Sequence, residues 1–425
     1  NLTPDDFGGP VLDGCNENLV LTRPDVVRRL HDTYLAAGAD IVLTNTFGGT
    51  SLVLAEYGLE ARALEINREA ARIAREACAP HDSTPRPRWV AGSMGPTTKA
   101  ISVTGGITFD GLVATYQEQA EGLIEGGVDY LLLETCQDTL NAKAGLLAVD
   151  RAFETTGTRV PVAVSCTIEP TGTMLAGQSV EAFAVALMHR DLLYVGLNCA
   201  TGPEFMRDHL RSLGEIAATR VACVPNAGLP DEDGRYGESP EMLAAVIGDF
   251  ARHGWLNLVG GCCGTAPEHV TRLAEAVQGL APRAPATRRG TWLSGIDFLE
   301  VDDDTRPVIV GERTNVLGSR KFKRLIQAHQ FEEAAEVARA QVKGGAHVVD
   351  VCLQDPEADE VADMVAFLDE VVKKVRVPFV IDSTDADVME TALRRMQGKA
   401  LLNSVNLEDG LERFERVVPL ARKYG

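Results

Sequence analysis

The chain has 425 residues, enough for two domains that each bury a core of their own. Apolar residues make up 45% and charged residues 24%, and no apolar run is long enough to cross a bilayer, which argues against a membrane protein. A formal net charge of −20 leaves no basic surplus to displace counterions from a phosphate backbone, so no nucleic-acid partner is expected.

The opening residues, NLTPDDFGGPVLDG, carry no basic patch followed by an apolar stretch, so no secretory signal is read and the cytoplasm is the expected compartment. From there one joint recurs. An amphipathic helix ends in small residues, a polar step follows, and an apolar run begins: AAGADIVLTNTF at 36–47, EGGVDYLLLETC at 125–136 and KGGAHVVDVC at 343–352. Glycine closes each helix because it takes the left-handed cap conformation without a steric penalty. The runs do not alternate, as expected for parallel strands covered on both faces.

Strands are predicted at 39–47, 88–94, 128–136, 161–168, 192–199, 221–226 and 256–263, with helices such as 56–78, 110–126 and 268–279 between them. A closed (β/α)8 barrel needs eight strands, and the glycine-rich fingerprint of a doubly wound sheet is absent. The missing first strand is expected before residue 1 or within the irregular opening segment. Residues 1–280 are therefore read as a barrel domain and 281–305, with PRAPATRRG and VDDD, as a linker. Residues 306–425 restart the pattern: RPVIVGERTN, a helix near 331–344, HVVDVCLQD, a helix near 358–375, PFVIDST, a helix near 385–396, ALLNSVN and a last helix near 411–423. The fold class is thus α/β, two (β/α)8 TIM barrels in tandem, the first lacking an obvious first strand and the second cut after about four βα units.

Nine cysteines in such a chain suit reduced thiols rather than a disulfide framework. Cys15, Cys78, Cys136, Cys166, Cys223 and Cys352 each stand alone and read mostly as small core residues. Cys199, in LLYVGLNCATG, and the pair Cys262 and Cys263, in LNLVGGCCGT, end barrel strands on the face where barrel enzymes keep their chemistry. Neighbouring residues of a strand point to opposite faces, so the pair can share one ion only if the strand breaks into a turn, and Gly260, Gly261 and Gly264 supply the break. Three thiolates suit zinc and leave one tetrahedral position open, the mark of a catalytic site. A thiol entering that position would lose its proton near neutral pH.

GADIVLTNTF, the LLLETC strand, GLNCATGP, PNAGLP and GGCCGT together resemble the homocysteine S-methyltransferase domain over nearly all of residues 1–280. The resemblance implies that Cys199, Cys262 and Cys263 are the zinc ligands and carry the catalysis. It also implies that Glu134 and Asn226 line the homocysteine pocket, with Asn45, beside Thr44, at another strand end. One departure is the family's glycine-rich opening strand of the DGAMGT type, which is not found; DGCNE at 13–17 is similar to a segment downstream of it.

In the second domain Glu312, Asn315, Asp350, Asp382, Asn403 and Asn406 gather at strand ends, where a carboxylate and amides can read the donor and acceptor edge of a fused nitrogen heterocycle. Ser383, Thr384 and Asp385 read as helix caps instead. The order of motifs resembles the pterin-binding domain of methyltetrahydrofolate methyltransferases and dihydropteroate synthases. That implies that Asp382 and Asn403 hold the pterin ring; Cys352 stands where many relatives carry Asn. The GERTN segment, and the two resemblances in this order on one chain, are similar to the cobalamin-dependent methionine synthases. That resemblance implies methyl transfer to zinc-activated homocysteine, forming methionine. Methylcobalamin would be the donor, regenerated from 5-methyltetrahydrofolate, with cobalamin bound by domains not present in this chain and supplied in cis or in trans. Two other readings stay open: a stand-alone homocysteine S-methyltransferase using betaine or S-methylmethionine, and a non-catalytic docking module for a corrinoid protein.

Overall fold

Seven short apolar runs become seven parallel strands, hydrogen-bonded in chain order, in a computed structural model that describes residues 2–287, 290–407 and 410–425. They are β1 (Ile41–Leu43), β2 (Trp89–Met94), β3 (Tyr130–Cys136), β4 (Val162–Cys166), β5 (Tyr194–Asn198), β6 (Arg220–Val224) and β7 (Leu258–Val259). Every residue of β3, β4 and β5 is buried, as the unbroken apolar runs require when both faces are covered. At the three recurring joints Gly38, Gly127 and Gly345 take φ of +106°, +89° and +99°, the left-handed turn that lets a helix feed straight into a strand. The chain groups into two units: Asn1–Ala176 with Asp191–Ala286, and Gly177–Arg190 with Thr287–Gly425.

In the first unit β1 and β7 do not pair with each other among the described residues. Their helices are fastened instead: Tyr34 Oη, in the helix Pro24–Ala36, donates to Thr265 O at 2.9 Å, and Thr271 Oγ1, in the helix Pro267–Val277, donates to Ala37 O at 3.0 Å. Among its described residues the opening segment supplies no strand for the gap, since Pro4–Phe7, Pro10–Leu12 and Asn16–Asn18 fold as single 3-10 turns. Inside the curved sheet, residues two apart share a face. Ala91, Tyr130, Leu132, Ala163, Tyr194 and Ala222 pack there as one buried cluster. Two residues further toward the strand ends the same face carries Ser93, Glu134 and Ser165, and four residues beyond Tyr194 it carries Asn198. The interior is thus apolar below and polar beneath the mouth.

The described residues of 281–305 are more than the plain linker expected: they include a buried arginine and two strands. Arg283, only 5% exposed, donates to Gly214 O, Ala217 O at 2.7 Å and Thr219 O at 2.8 Å, while its own carbonyl accepts from Asn257 Nδ2 at 2.8 Å. A guanidinium has enough donors to satisfy several carbonyls at once, so one polar residue closes the base of the unit. Further on, β8 (Thr291–Ser294) and β9 (Phe298–Val301) form an antiparallel hairpin.

The second unit holds β10 (Val310–Gly311), β11 (Val348–Val351), β12 (Phe379–Asp382) and β13 (Leu401–Asn403), again parallel and in chain order. The predicted helices appear at Phe331–Lys343, Glu360–Val371, Ala386–Leu393 and Glu412–Tyr424, joined by an unforeseen one at Arg320–Gln327. That helix brings Phe322 edge-on to Phe367, ring centres 5.1 Å apart, in the core of this unit. The helix Val180–Leu187, which the chain forms between β4 and β5, packs against β8 and β9. No helix of the described residues is long and apolar enough to cross a membrane. Replacing Arg283 with Met should lower the stability of the first unit by about 2–4 kcal/mol, because three carbonyls lose their donor. Urea unfolding followed by tryptophan fluorescence checks this, and a Lys at 283 should recover only part of the loss.

Candidate metal centre

Three strand ends converge to build the centre. β5 stops at Asn198, and the next two residues, Cys199 and Ala200, take φ of +58° and +60°. Left-handed backbone costs a non-glycine residue about 1–2 kcal/mol, so it persists only where neighbours hold it. Here Cys199 N–H donates to Val224 O at 3.0 Å, Thr201 N–H to Cys199 O at 2.7 Å and Asn226 N–H to Thr201 O at 3.1 Å. The β7 run breaks after Val259, as the glycines predicted. Cys262 N–H reaches Pro225 O at 2.7 Å and Ala227 N–H reaches Cys263 O at 2.9 Å, so the cysteine turn is laced to the loop after β6.

The sulfurs of Cys199 and Cys263 lie 3.8 Å apart and those of Cys262 and Cys263 4.0 Å apart, with all three within 4.8 Å of one another. Zinc–sulfur bonds of about 2.3 Å in tetrahedral geometry put sulfurs roughly 3.8 Å apart, so the spacing fits that ion. Cys199 and Cys262 are half-buried and Cys263 is exposed, whereas the six lone cysteines are all buried, in keeping with their reading as small core residues. Donation from the Cys262 thiol draws Cys199 down to about 6. The same bond then pushes Cys262 up, and burial followed by the nearby Cys199 charge pushes Cys263 up. Asn226 ties two of the three together. Its Oδ1 accepts from Cys263 N–H at 3.1 Å and its side chain also hydrogen-bonds Cys199.

Beneath the sulfurs lies the polar layer. Strand β3 slips register between Leu133 and Cys136, and Thr135 takes φ of +57°, an irregularity of the kind that re-aims a side chain. Glu134 is 8% exposed and accepts from Ser93 Oγ; burial pushes its carboxyl up to about 7. Asn198 holds the bulge: its Oδ1 accepts from Thr135 N–H at 3.0 Å and from Ser165 Oγ, and its Nδ2 donates to Thr135 Oγ1 at 2.8 Å. Sequence reasoning passed over Ser93, Ser165 and Asn198, although stepping by two along each strand from the apolar layer would have found them. Asn45 stands at its strand end but spends its amide on Asn16 O at 2.7 Å, and Thr44 pairs with Thr46 Oγ1 at 2.6 Å and accepts from Ser93 N–H at 2.9 Å.

In the second unit four of the expected polar residues come together. Asn315 Nδ2 reaches Asp350 Oδ2 at 3.5 Å, and Asp382 is hydrogen-bonded by Asn403 and by Cys352. Asn315 and Cys352 also meet through a backbone bridge. Burial and then the neighbouring Asp382 raise Asp350 to about 6, and burial raises Asp382 as well. Glu312 is exposed and acts on both carboxyls through its charge, and Asn406 lies past the end of β13. Asp385 caps the helix after β12 by accepting from Asp387 N–H at 2.8 Å, and Ser383 Oγ accepts from Asp385 N–H at 3.0 Å, as their sequence position suggested. Thr384 instead accepts from Gln354 Nε2 at 2.6 Å.

Residues 2–277 match the family described as homocysteine S-methyltransferase, and residues 311–425 match the family described as pterin binding enzyme. Among solved structures the chain is similar to the oxidised form of the homocysteine methyltransferase MmuM from Escherichia coli, at 21% identity and a TM-score of 0.51, over 61% of this chain and 87% of that one. It is also similar to the metallated form of that protein, at 20% identity and a TM-score of 0.51, over 64% of this chain and 91% of that one. At such identities the likeness speaks for the fold.

Replacing Asn198 with Ala leaves the Thr135 N–H and the Ser165 hydroxyl without their acceptor in a buried layer. A loss of about 2–3 kcal/mol in unfolding free energy is expected, measured by urea titration of the metal-free protein.

Proposed function

The chain belongs to the homocysteine S-methyltransferase family, and we propose from that premise that its first unit methylates the thiol of homocysteine to give methionine. The observation that carries this reading is the trio of sulfurs at tetrahedral spacing, set above a buried carboxyl. Cys199, Cys262 and Cys263 would hold a zinc ion, as the donor set and its spacing fit. Zinc bound there would supply a Lewis acid that keeps a substrate thiol ionised near neutral pH.

The chain's own residues do the rest. Three thiolates outweigh a dication by one charge, so the centre keeps the substrate sulfur electron-rich for attack on a methyl carbon. Asn226 fixes two of the sulfurs relative to each other. Glu134, held by Ser93, offers a carboxylate to the amino group of the substrate, and its high pKa makes that offer depend on pH. In the second unit Asp350, Asp382, Asn315 and Asn403 would bind the pterin of methyltetrahydrofolate, with burial making Asp350 take up a proton more readily than an ordinary aspartate. The methyl source in this reading is a cobalamin remethylated from that folate. It is carried by a domain acting in cis or in trans, and none of the residues above is assigned to it.

The test is a methyl-transfer assay on the zinc-loaded protein with homocysteine, offering methylcobalamin, S-methylmethionine or betaine in turn. Methionine formed from methylcobalamin is the expected result. Formation only from S-methylmethionine or betaine would select the stand-alone enzyme, and full activity after complete zinc removal would sink the proposal. Cys262→Ala should abolish methionine formation and cut zinc stoichiometry while leaving methyltetrahydrofolate binding within twofold.

The buried Glu134 also makes binding depend on pH. Its carboxyl is neutral below about 7 and ionised above, so affinity for an amino acid with a positive ammonium should rise as pH passes upward through that value. Methionine, which has no ionising thiol, is the probe: calorimetric affinity should improve between pH 6 and pH 8 (roughly one unit either side of that value), and Glu134→Gln should flatten the curve.

A further inference from the structure

The loop at residues 226–239, between β6 and the helix Pro240–Arg252, folds back on the cysteine turn. Pro230 and Tyr236 pair as an isolated antiparallel bridge, Asp231 N–H donates to Arg235 O at 2.9 Å, and Asp231 Oδ1 accepts from the N–H groups of Asp233 and Arg235 at 2.9 and 2.8 Å. Glu238 N–H then returns to Ala227 O at 3.0 Å, and Ala227 is the residue bonded to Cys263 O. This small hairpin is therefore built on the backbone of the metal centre.

Two side chains press on that turn from opposite ends. Thr265 lies over Gly261, where a Cβ would fall 2.3 Å from its Cγ2. Tyr236 lies over Gly264, where a Cβ would fall 2.3 Å from ring Cγ and 2.7 Å from Cδ2, and Gly264 itself has φ of +78°. Two glycines of the GGCCG turn are thus required by what sits on them. Gly264 directly follows Cys263, the exposed member of the trio, so the ring bears on the turn one residue from that sulfur.

We propose that Tyr236 is a positioning residue of the metal centre: its ring clamps the Cys262–Cys263 turn through Gly264. The proposal rests on the reading that the three sulfurs hold a metal. Residues that fix the orientation of metal ligands commonly control metal affinity by about 10- to 100-fold. Cys263 has the greatest need of one, being the sulfur most open to water.

The experiment compares wild type, Tyr236→Phe and Tyr236→Ala in the full chain, using zinc competition with a chromophoric chelator and the sulfur-to-metal charge-transfer band of the cobalt-substituted protein. Urea stability is measured on each metal-free form. Tyr236→Ala removes the ring and should weaken zinc by about tenfold or more and shift the cobalt band, with metal-free stability unchanged. Tyr236→Phe keeps the ring and should hold zinc affinity and the band close to wild type. Wild-type zinc affinity and an unshifted band in Tyr236→Ala would overturn the proposal, as would a fall in metal-free stability large enough to account for the lost affinity. Failure of the wild type to bind stoichiometric zinc would overturn the functional reading itself, a result separable from any difference between the variants.

Discussion

Three sulfurs held within 4.8 Å of one another are the constraint around which the first unit is arranged. Two unit charges about 4 Å apart repel by about 4 kcal/mol at the effective dielectric of a protein surface, so ionised thiols gather only where a frame opposes the repulsion. The frame is backbone. Loops after β5, β6 and β7 exchange hydrogen bonds in sequence, and each is bent at once beyond its strand, by left-handed Cys199 and Ala200 on one side and by the glycine turn on the other. Parallel strands make this economical, because they deliver three loops to the same rim with little chain between strand and ligand.

The second unit solves a different problem with the same scaffold. Its strand ends bring carboxyls together, and burial raises both, Asp350 to about 6. Cys352 belongs to this logic. Its thiol, pushed up to about 11 by burial, stays protonated and can donate to Asp382, much as an amide would. A rim of clustered sulfurs and a rim of partly buried carboxyls thus arise from one βα grammar, decided by which residues occupy the first positions after each strand.

Much of this was legible in the sequence because it is local. The glycine-closed joints announced the strands, unbroken apolar runs announced their burial, and a vicinal cysteine pair flanked by glycines announced a turn. What stayed hidden depends on distant partners. Ser93, Ser165 and Asn198 look like ordinary strand residues until the register places them on one inner face. Arg283 sat in a Pro-rich stretch that read as linker, and only the fold brings three carbonyls to it. The helix Arg320–Gln327 is short and strongly basic, so its two buried residues, Phe322 and Ile326, made too weak a period to read. Asn45 shows the opposite error: a polar strand end that looked available is spent on Asn16.

The helix Val180–Leu187 buries seven of its eight residues, and it belongs to the second unit although β4 and β5 of the first unit flank it in the chain. The two units are therefore interleaved along the polypeptide. A fragment ending at 286 would carry an apolar helix stripped of its hairpin, and the complementary fragment would carry a hairpin with one side bare. Neither fragment keeps that helix together with its hairpin, so a cut at 286 divides a packed unit instead of falling between two.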